Sequence, residues 1–145
     1  MRYLLAALLL AALLVSCAKD SGPPVVVSEL RILAPIPGSN MGVAYMKITN
    51  RGAAAITVHN VSSPQFERVE MHETTIADGV SRMRPIDGVE IAVGDTAIFE
   101  AGGKHLMLMN PGPDTIPGSP VTLEITHDSG LLIVSGTMQP RLSTQ

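Results

Sequence analysis

The segment from His105 to Met109, His-Leu-Met-Leu-Met, carries the residues of this chain that are best suited to chemistry. Successive side chains of a β-strand point to opposite faces, so His105, Met107 and Met109 share one face and the two leucines share the other. The leucine face is predicted to pack in a core. The opposite face then presents an imidazole and thioethers, which together form a ligand set for a soft metal ion, above all Cu(I).

A hairpin upstream carries further candidate ligands. Asp78-Gly79 is a strong signal for a two-residue turn, which would pair Ala77 with Val80 and therefore His72 with Pro85. Met83 then lies diagonal to His72 on the same face, at a separation that two long side chains can bridge. This register is a prediction, because a slip by one residue would move Met83 to the other face.

The two groups of candidates form one site only if the strand of His105 lies beside this hairpin. In that arrangement His72, Met83, His105 and Met107 converge. Met71 alternates with Val69 toward the interior and is predicted to belong to the core. Met109 is expected to pack beside the site, with a role as a spare ligand left open.

Charged residues flank the four candidates. Glu73, Arg82, Arg84 and Lys104 are expected either to orient the ligands or to meet a partner, and the alternative is that they are ordinary surface charges. The other two histidines, His59 and His127, lack methionine neighbours and are predicted to be solvated.

The elements that position these residues are predicted to be β-strands throughout. About eight or nine short strands with turn signals every eight to twelve residues predict an antiparallel sandwich or barrel of Greek-key type. No helical periodicity longer than a turn occurs after the leader, and the four prolines from Pro111 to Pro120 exclude a central strand there. The predicted strands are 25–33, 43–49, 56–61, 66–74, 80–84, 96–99, the segment around 105–109, 121–126 and 131–134.

The first sixteen residues resemble a bacterial secretory signal. A short basic start precedes an apolar run from Leu4 to Val15, which is too short for a comfortable transmembrane helix. The run ends in Leu-Val-Ser-Cys17, which looks like the cleavage site of a lipoprotein, so Cys17 is predicted to be lipid-modified. The alternative is an ordinary signal peptide with a chance cysteine. Because Cys17 is the single cysteine, no intramolecular disulfide can form.

The chain is therefore predicted to hold one domain behind an anchor. We expect a lipoprotein signal peptide at 1–16, a lipidated tether at 17–24, a copper-binding β-sandwich domain at 25–138 and a flexible tail at 139–145. The net charge of −3 comes without a basic cluster, which argues against a nucleic-acid partner. No set of residues typical of a catalytic centre stands out, so the protein is not expected to be an enzyme. A blue-copper electron carrier needs a cysteine ligand, which the tether cysteine cannot supply.

The candidate ligands also carry a family resemblance. The spacing His72, ten residues, Met83, twenty-one residues, His105, one residue, Met107 resembles the motif of the PCuAC-type periplasmic copper chaperones. The flanking segments 69–73, 83–85 and 102–109 are similar as well, and the resemblance extends from about residue 43 to 137. It implies a cupredoxin-like Greek-key sandwich that binds one Cu(I) per chain through these four residues. The chain lacks the Met/His-rich tail of some relatives, so a second copper site is not expected.

The resemblance implies a metallochaperone that carries copper to an acceptor. The expected acceptor is the CuA centre of cytochrome c oxidase, reached through an oxidase subunit or another assembly factor. The protein is expected to be a monomer, lipid-anchored in a bacterial cell envelope on the extracytoplasmic side, which is the periplasmic side in a Gram-negative cell. Two other functions stay open: copper sequestration for resistance, and a lipoprotein that serves protein–protein interaction without metal.

Overall fold

A computed structural model describes residues 24–141, which form ten β-strands. The predicted signal peptide, Cys17 and most of the tether lie outside the described residues, as do residues 142–145. Within residues 24–141 no helix is long and apolar enough to cross a membrane. The strands are β1 (Val25–Leu33), β2 (Met41–Asn50), β3 (Ile56–Ser62), β4 (Phe66–Ala77), β5 (Val80–Pro85), β6 (Val89–Ile91), β7 (Thr96–Phe99), β8 (Lys104–Pro111), β9 (Pro120–His127) and β10 (Gly130–Gln139).

The strands pair in the order β5-β4-β8-β7-β2-β1-β10-β9-β3-β6, and β8 also pairs directly with β2. One layer runs from β5 to β1 and the other from β10 to β6. The layers are joined by a short parallel contact in which Ile32 of β1 is opposite Met138 of β10. A second parallel contact joins β7 and β8, whereas the other pairings are antiparallel. The predicted all-β sandwich is confirmed.

The core lies between the two layers and is built from aliphatic side chains on alternate strand positions. In β9, for example, Val121, Leu123 and Ile125 are fully buried, whereas the intervening residues are more accessible. Leu106 and Leu108 of β8 are fully buried from the opposite layer, and Phe99 is also almost fully buried. The prediction that the leucine face of the 105–109 segment packs in the core is confirmed.

The observed strands extend some of the predicted ones. β1 and β7 have the predicted ends, but β10 continues past Val134 to Gln139, because Gly136 and Thr137 pair with the start of β9. Gln139, the first residue of the expected tail, therefore belongs to a strand. Residues Val89–Ile91 form the three-residue strand β6, between the predicted strands 80–84 and 96–99.

The β4–β5 hairpin has the predicted register. Ala77 is opposite Val80, and His72 is opposite Pro85. Asp78 and Gly79 both have positive φ angles, 53° and 74°, as a type I′ turn requires. The tight turn fixes which face of β5 carries Met83, and β8 lies directly on the other side of β4.

Candidate metal site

The pairing of β4 with β8 brings candidate ligands into adjacent rows on one face of the sheet. His72 is directly opposite His105, and two residues away on each strand Glu70 is opposite Met107. Residues at alternate positions of paired strands point to the same side, so these four side chains form a compact block. Met83 of β5 is opposite Thr74 and joins the block diagonally from His72.

Met83 and His105 are in contact. The Met83 Sδ lies 3.0 Å from the His105 Nε2. Met107 lines the same open cavity as Met83 and His105, whereas His72 is not among the residues that line it. The His72 and His105 rings have centroids 6.0 Å apart and planes tilted by 43°. The structure thus brings three candidates to one cavity and sets His72 beside them through its ring contact with His105.

The hydrogen bonding of His105 fixes the chemistry of its free nitrogen. The Nδ1 lies 3.0 Å from the Gly103 carbonyl oxygen, which can only accept, so Nδ1 carries the proton of the neutral ring. The Nε2 then presents a lone pair to the sulfur of Met83, which has no proton either. Two electron-pair donors that face each other in this way match an electron-pair acceptor such as a soft metal cation.

His105 is hydrogen-bonded to oxygen through Nδ1, whereas His72 is hydrogen-bonded through Nε2. The Nε2 donates to the Glu70 Oε2 at 2.8 Å. This hydrogen bond, aided by the positive charge of Arg68, lowers the pKa of the Glu70 carboxyl below its usual range, although desolvation opposes the shift. The Nδ1 of His72 is buried and has no hydrogen-bond partner within residues 24–141. A buried polar atom without a partner is unusual, and a ligand position for a metal ion would account for it.

The candidates differ in depth, which the sequence did not indicate. Met83 is 53% exposed, but His105 is only 6% exposed. His105 therefore lies on the predicted face, opposite the leucines, but it is buried there. The reason is that β8 is an inner strand between β4 and β2, and Met83 from the edge strand lies against the ring. The site has a buried imidazole beneath an exposed thioether.

The auxiliary methionines are not brought into this set. The Met109 Sδ accepts hydrogen bonds from Arg68 Nε and Nη2, at 3.3 and 3.1 Å. Met71 is 6% exposed and belongs to the core, as predicted. Met109 is therefore already bound by a guanidinium, and Met71 faces away from the candidate ligands.

Three of the flanking charged residues form a small network of ion pairs. The Glu73 carboxylate lies 3.2 Å from Lys104 Nζ and 3.9 Å from Arg84 Nη2. Because Glu73 follows His72 directly in β4, its side chain points to the opposite face of the sheet. These ion pairs connect β5, β4 and β8, and within residues 24–141 neither of them includes a candidate ligand.

The other two histidines lie apart from this site. His59 is exposed and forms an ion pair with Asp128. The hydrogen bond between His59 and Asp128, together with one from the Thr57 backbone N–H, lowers the pKa of the Asp128 carboxyl. His127 is only 8% exposed because it continues the buried alternation of β9, and its Nδ1 accepts from the Ser129 backbone N–H. The prediction that His127 is solvated is wrong.

Sequence reasoning missed Glu70 and Arg68 as neighbours of the ligands. Alternation places Arg68, Glu70 and His72 at successive positions on one face of β4, but it does not indicate the contacts among them. Within residues 24–141 no group of three or more His, Cys, Asp or Glu side chains is placed to hold a metal ion. The candidate site therefore depends on its thioethers, which are soft donors.

Solved structures with a similar fold include PCuAC domains. The "Copper-bound PCuAC domain from PmoF2" is 16% identical with a TM-score of 0.66, over 82% of this chain and 95% of that one. The solution structure of "CuI-DR1885" from Deinococcus radiodurans is 23% identical with a TM-score of 0.68, over 88% of this chain and 87% of that one. At these identities the likeness establishes the fold, and the predicted cupredoxin-like architecture is confirmed.

Sequence comparison gives the family. The "Putative lipoprotein Lxx21020" of Leifsonia xyli subsp. xyli is 27% identical over 94 residues, which are 64% of this chain and 57% of that protein. The chain thus spans little more than half the length of this relative. The family model described as "Putative lipoprotein LpqE-like" matches residues 25–133, which include the whole candidate site. The chain belongs to the LpqE-like family and has the fold of a PCuAC domain.

Proposed function

We propose that this protein is a metallochaperone that binds one Cu(I) and passes it to an acceptor protein. The observation that carries the proposal is the 3.0 Å approach of the His105 Nε2 to the Met83 Sδ, while the other ring nitrogen of His105 bonds to the Gly103 carbonyl oxygen. Met107 in the same cavity and the unpartnered Nδ1 of His72 complete a set of two imidazoles and two thioethers. Copper is the cargo of this site.

The donor types suit loading and release outside the cytoplasm. A thioether binds Cu(I) without deprotonation, and a site without thiolates cannot be closed by disulfide formation in an oxidising compartment. An acceptor that offers thiolates would be the stronger soft ligand and would take the metal. Met83 is the most accessible of the four, so we propose that it is exchanged first.

We propose that the protein works as a lipid-anchored protein of the bacterial cell envelope and that its acceptor is the CuA centre of cytochrome c oxidase. The lipoprotein family supports the anchor, and Cys17 is the residue that would carry it. The similar solved structures include a copper-bound PCuAC domain and Cu(I)-DR1885, which supports the choice of metal. We propose a role in binding and transfer without a catalytic step.

The binding test is an anaerobic Cu(I) titration of the protein in detergent micelles, followed by X-ray absorption at the copper edge. We expect one Cu(I) per chain in a shell of nitrogen and sulfur, and much weaker binding of Cu(II) and Zn(II). Oxidation of Met83 and Met107 to sulfoxides should abolish binding, because a hard oxygen replaces the sulfur lone pair. A shell without sulfur, or no bound copper, would refute the assignment.

A transfer test separates a chaperone from a sequestering protein. The loaded protein is mixed with the copper-free CuA domain of an oxidase subunit, and the copper content of each is measured after separation. A chaperone loses its copper to the acceptor. Retention of the metal by the loaded protein would contradict the chaperone role and favour sequestration.

A further inference from the structure

Beside the candidate ligands, three residues of β4 form a continuous chain of contacts on the ligand face. The Arg68 Nε lies 3.2 Å from the Glu70 Oε1, and the Glu70 Oε2 accepts from the His72 Nε2 at 2.8 Å. Each carboxylate oxygen therefore has its own partner. Arg68 also donates to the sulfur of Met109 on the neighbouring strand, which holds the Arg68 end of these contacts.

The contacts from Arg68 through Glu70 to His72 bear on which ring nitrogen of His72 carries the proton, as well as on the position of the ring. An ionised carboxylate accepts hydrogen bonds and donates none, so its partner nitrogen on a neutral imidazole must carry the proton. The Nε2 of His72 is then a donor, and the buried Nδ1 is left with a lone pair and no partner in the described part of the chain. His105 has the opposite arrangement, because its Nδ1 donates to Gly103.

We propose that Glu70 is a positioning residue that selects the Nε2-protonated tautomer of His72 and turns its Nδ1 toward the metal, while Arg68 holds Glu70 in place. Carboxylates that accept from the second nitrogen of a ligating imidazole fix its tautomer and raise its basicity. The two histidines then present different atoms, Nδ1 from His72 and Nε2 from His105. The metal-facing part of this inference rests on the proposed function, whereas the choice of tautomer does not.

The position of Glu70 opposite Met107 lets it hold His72 without blocking the candidate metal site. Glu70 is opposite Met107 and next to His72 on the same face, so it borders two of the proposed ligands. Its carboxylate oxygens are occupied by Arg68 and His72. Arg68 in turn engages Met109, which keeps that sulfur out of the ligand set.

The test compares the wild type with Glu70→Gln, using Glu67→Gln as the matched control. A glutamine has nearly the same shape as glutamate but can donate as well as accept, so it no longer selects one tautomer. Glu67 lies on the same strand, and its carboxylate accepts from Asn110 Nδ2 at 2.7 Å without contact to a histidine. Long-range ¹H–¹⁵N correlation spectra of the copper-free protein in micelles report the protonated nitrogen of each histidine.

In the wild type and in Glu67→Gln we expect His72 to be protonated at Nε2. In Glu70→Gln we expect a mixture of tautomers, with His105 unchanged. Competition with bicinchoninate should show that Cu(I) affinity falls about tenfold or more in Glu70→Gln and stays constant in the control. Thermal unfolding of the two variants should be similar, because both side chains are accessible enough to be replaced by an amide of the same size.

Two results would overturn the inference. One is a wild-type His72 protonated at Nδ1, and the other is a Glu70→Gln variant that keeps both the Nε2 tautomer and the Cu(I) affinity. A wild-type protein that binds no Cu(I) would instead overturn the proposed function. In that case the copper-free spectra would still decide whether Glu70 selects the tautomer.

Discussion

Leu106 and Met107 are neighbours in β8 with opposite predicted roles, which makes them a matched pair for mutation. Leu106 is fully buried and lies between Met71 of β4 and Ala44 of β2. Met107 lies on the other face and lines the cavity beside Met83. We expect Leu106→Ala to destabilise the fold and Met107→Leu to weaken copper binding, each with little effect on the other property.

The magnitudes follow from what each substitution removes. Leu106→Ala deletes three buried carbons, about 2.4 kcal/mol at roughly 0.8 kcal/mol for each. The flanking strands hold the backbone in place, so a cavity term adds to this and the total reaches about 3–4 kcal/mol. Met107→Leu conserves volume in a half-buried position and should cost less than about 1.5 kcal/mol. Loss of its sulfur should lower Cu(I) affinity tenfold or more, which corresponds to about 1.4 kcal/mol.

The assay is thermal unfolding of the copper-free proteins together with Cu(I) competition against a chromophoric chelator. For a domain of this size 1 kcal/mol shifts the Tm by roughly 4 °C, so Leu106→Ala should lower it by roughly 12–16 °C. If Met107→Leu unfolded the domain as badly as Leu106→Ala, the assignment of the two faces would be wrong. The row of His105 and Met107 would then be packing.

Three further predictions test other parts of the molecule. His105→Ala should cost about 1–3 kcal/mol of stability by thermal unfolding, more than a surface change, because the ring is buried and bonds to Gly103; an unchanged Tm would contradict its burial. Asp128 pairs with His59, and its pKa is lowered in the folded protein. The ionised carboxylate therefore stabilises the fold at pH values above the ordinary pKa of 3.8, and this contribution is lost as the pH falls through the lower pKa of the folded state. The advantage of wild type over Asp128→Asn in thermal unfolding should therefore be present at neutral pH and vanish in acid, and a constant difference would refute it. Cys17→Ser should move the protein from the detergent phase to the aqueous phase in phase partitioning, whereas equal partitioning of both would exclude the lipid anchor.

The sequence by itself determined the local geometry of the candidate site. The period of two in β4 and β8 assigned Leu106 to the core and His105 to the other face, because this period is a property of any extended chain. Asp78-Gly79 fixed the hairpin register, since a two-residue turn leaves one way to pair the residues on either side. Together they placed Met83 on the face of His72, which the structure confirms.

Tertiary structure decided what depends on contacts between distant segments. Only the pairing of β4 with β8 sets His72 opposite His105, and only the inner position of β8 buries that ring. Alternation shows which side of a strand a residue occupies, but the depth of that side depends on the elements that cover it. For the same reason His127 is buried at the end of β9.

The contacts that choose the donor atoms were also beyond the sequence. Alternation places Glu70 and Arg68 on the face of His72, but only the structure shows that Glu70 binds His72 and that Arg68 binds both Glu70 and Met109. Side-chain hydrogen bonds require distances near 3 Å, which strand alternation cannot specify because neighbours on one face remain free to adopt different rotamers. The sequence thus determined which residue types share the ligand face, and the folded packing decided which nitrogen of each imidazole is free to bind a metal.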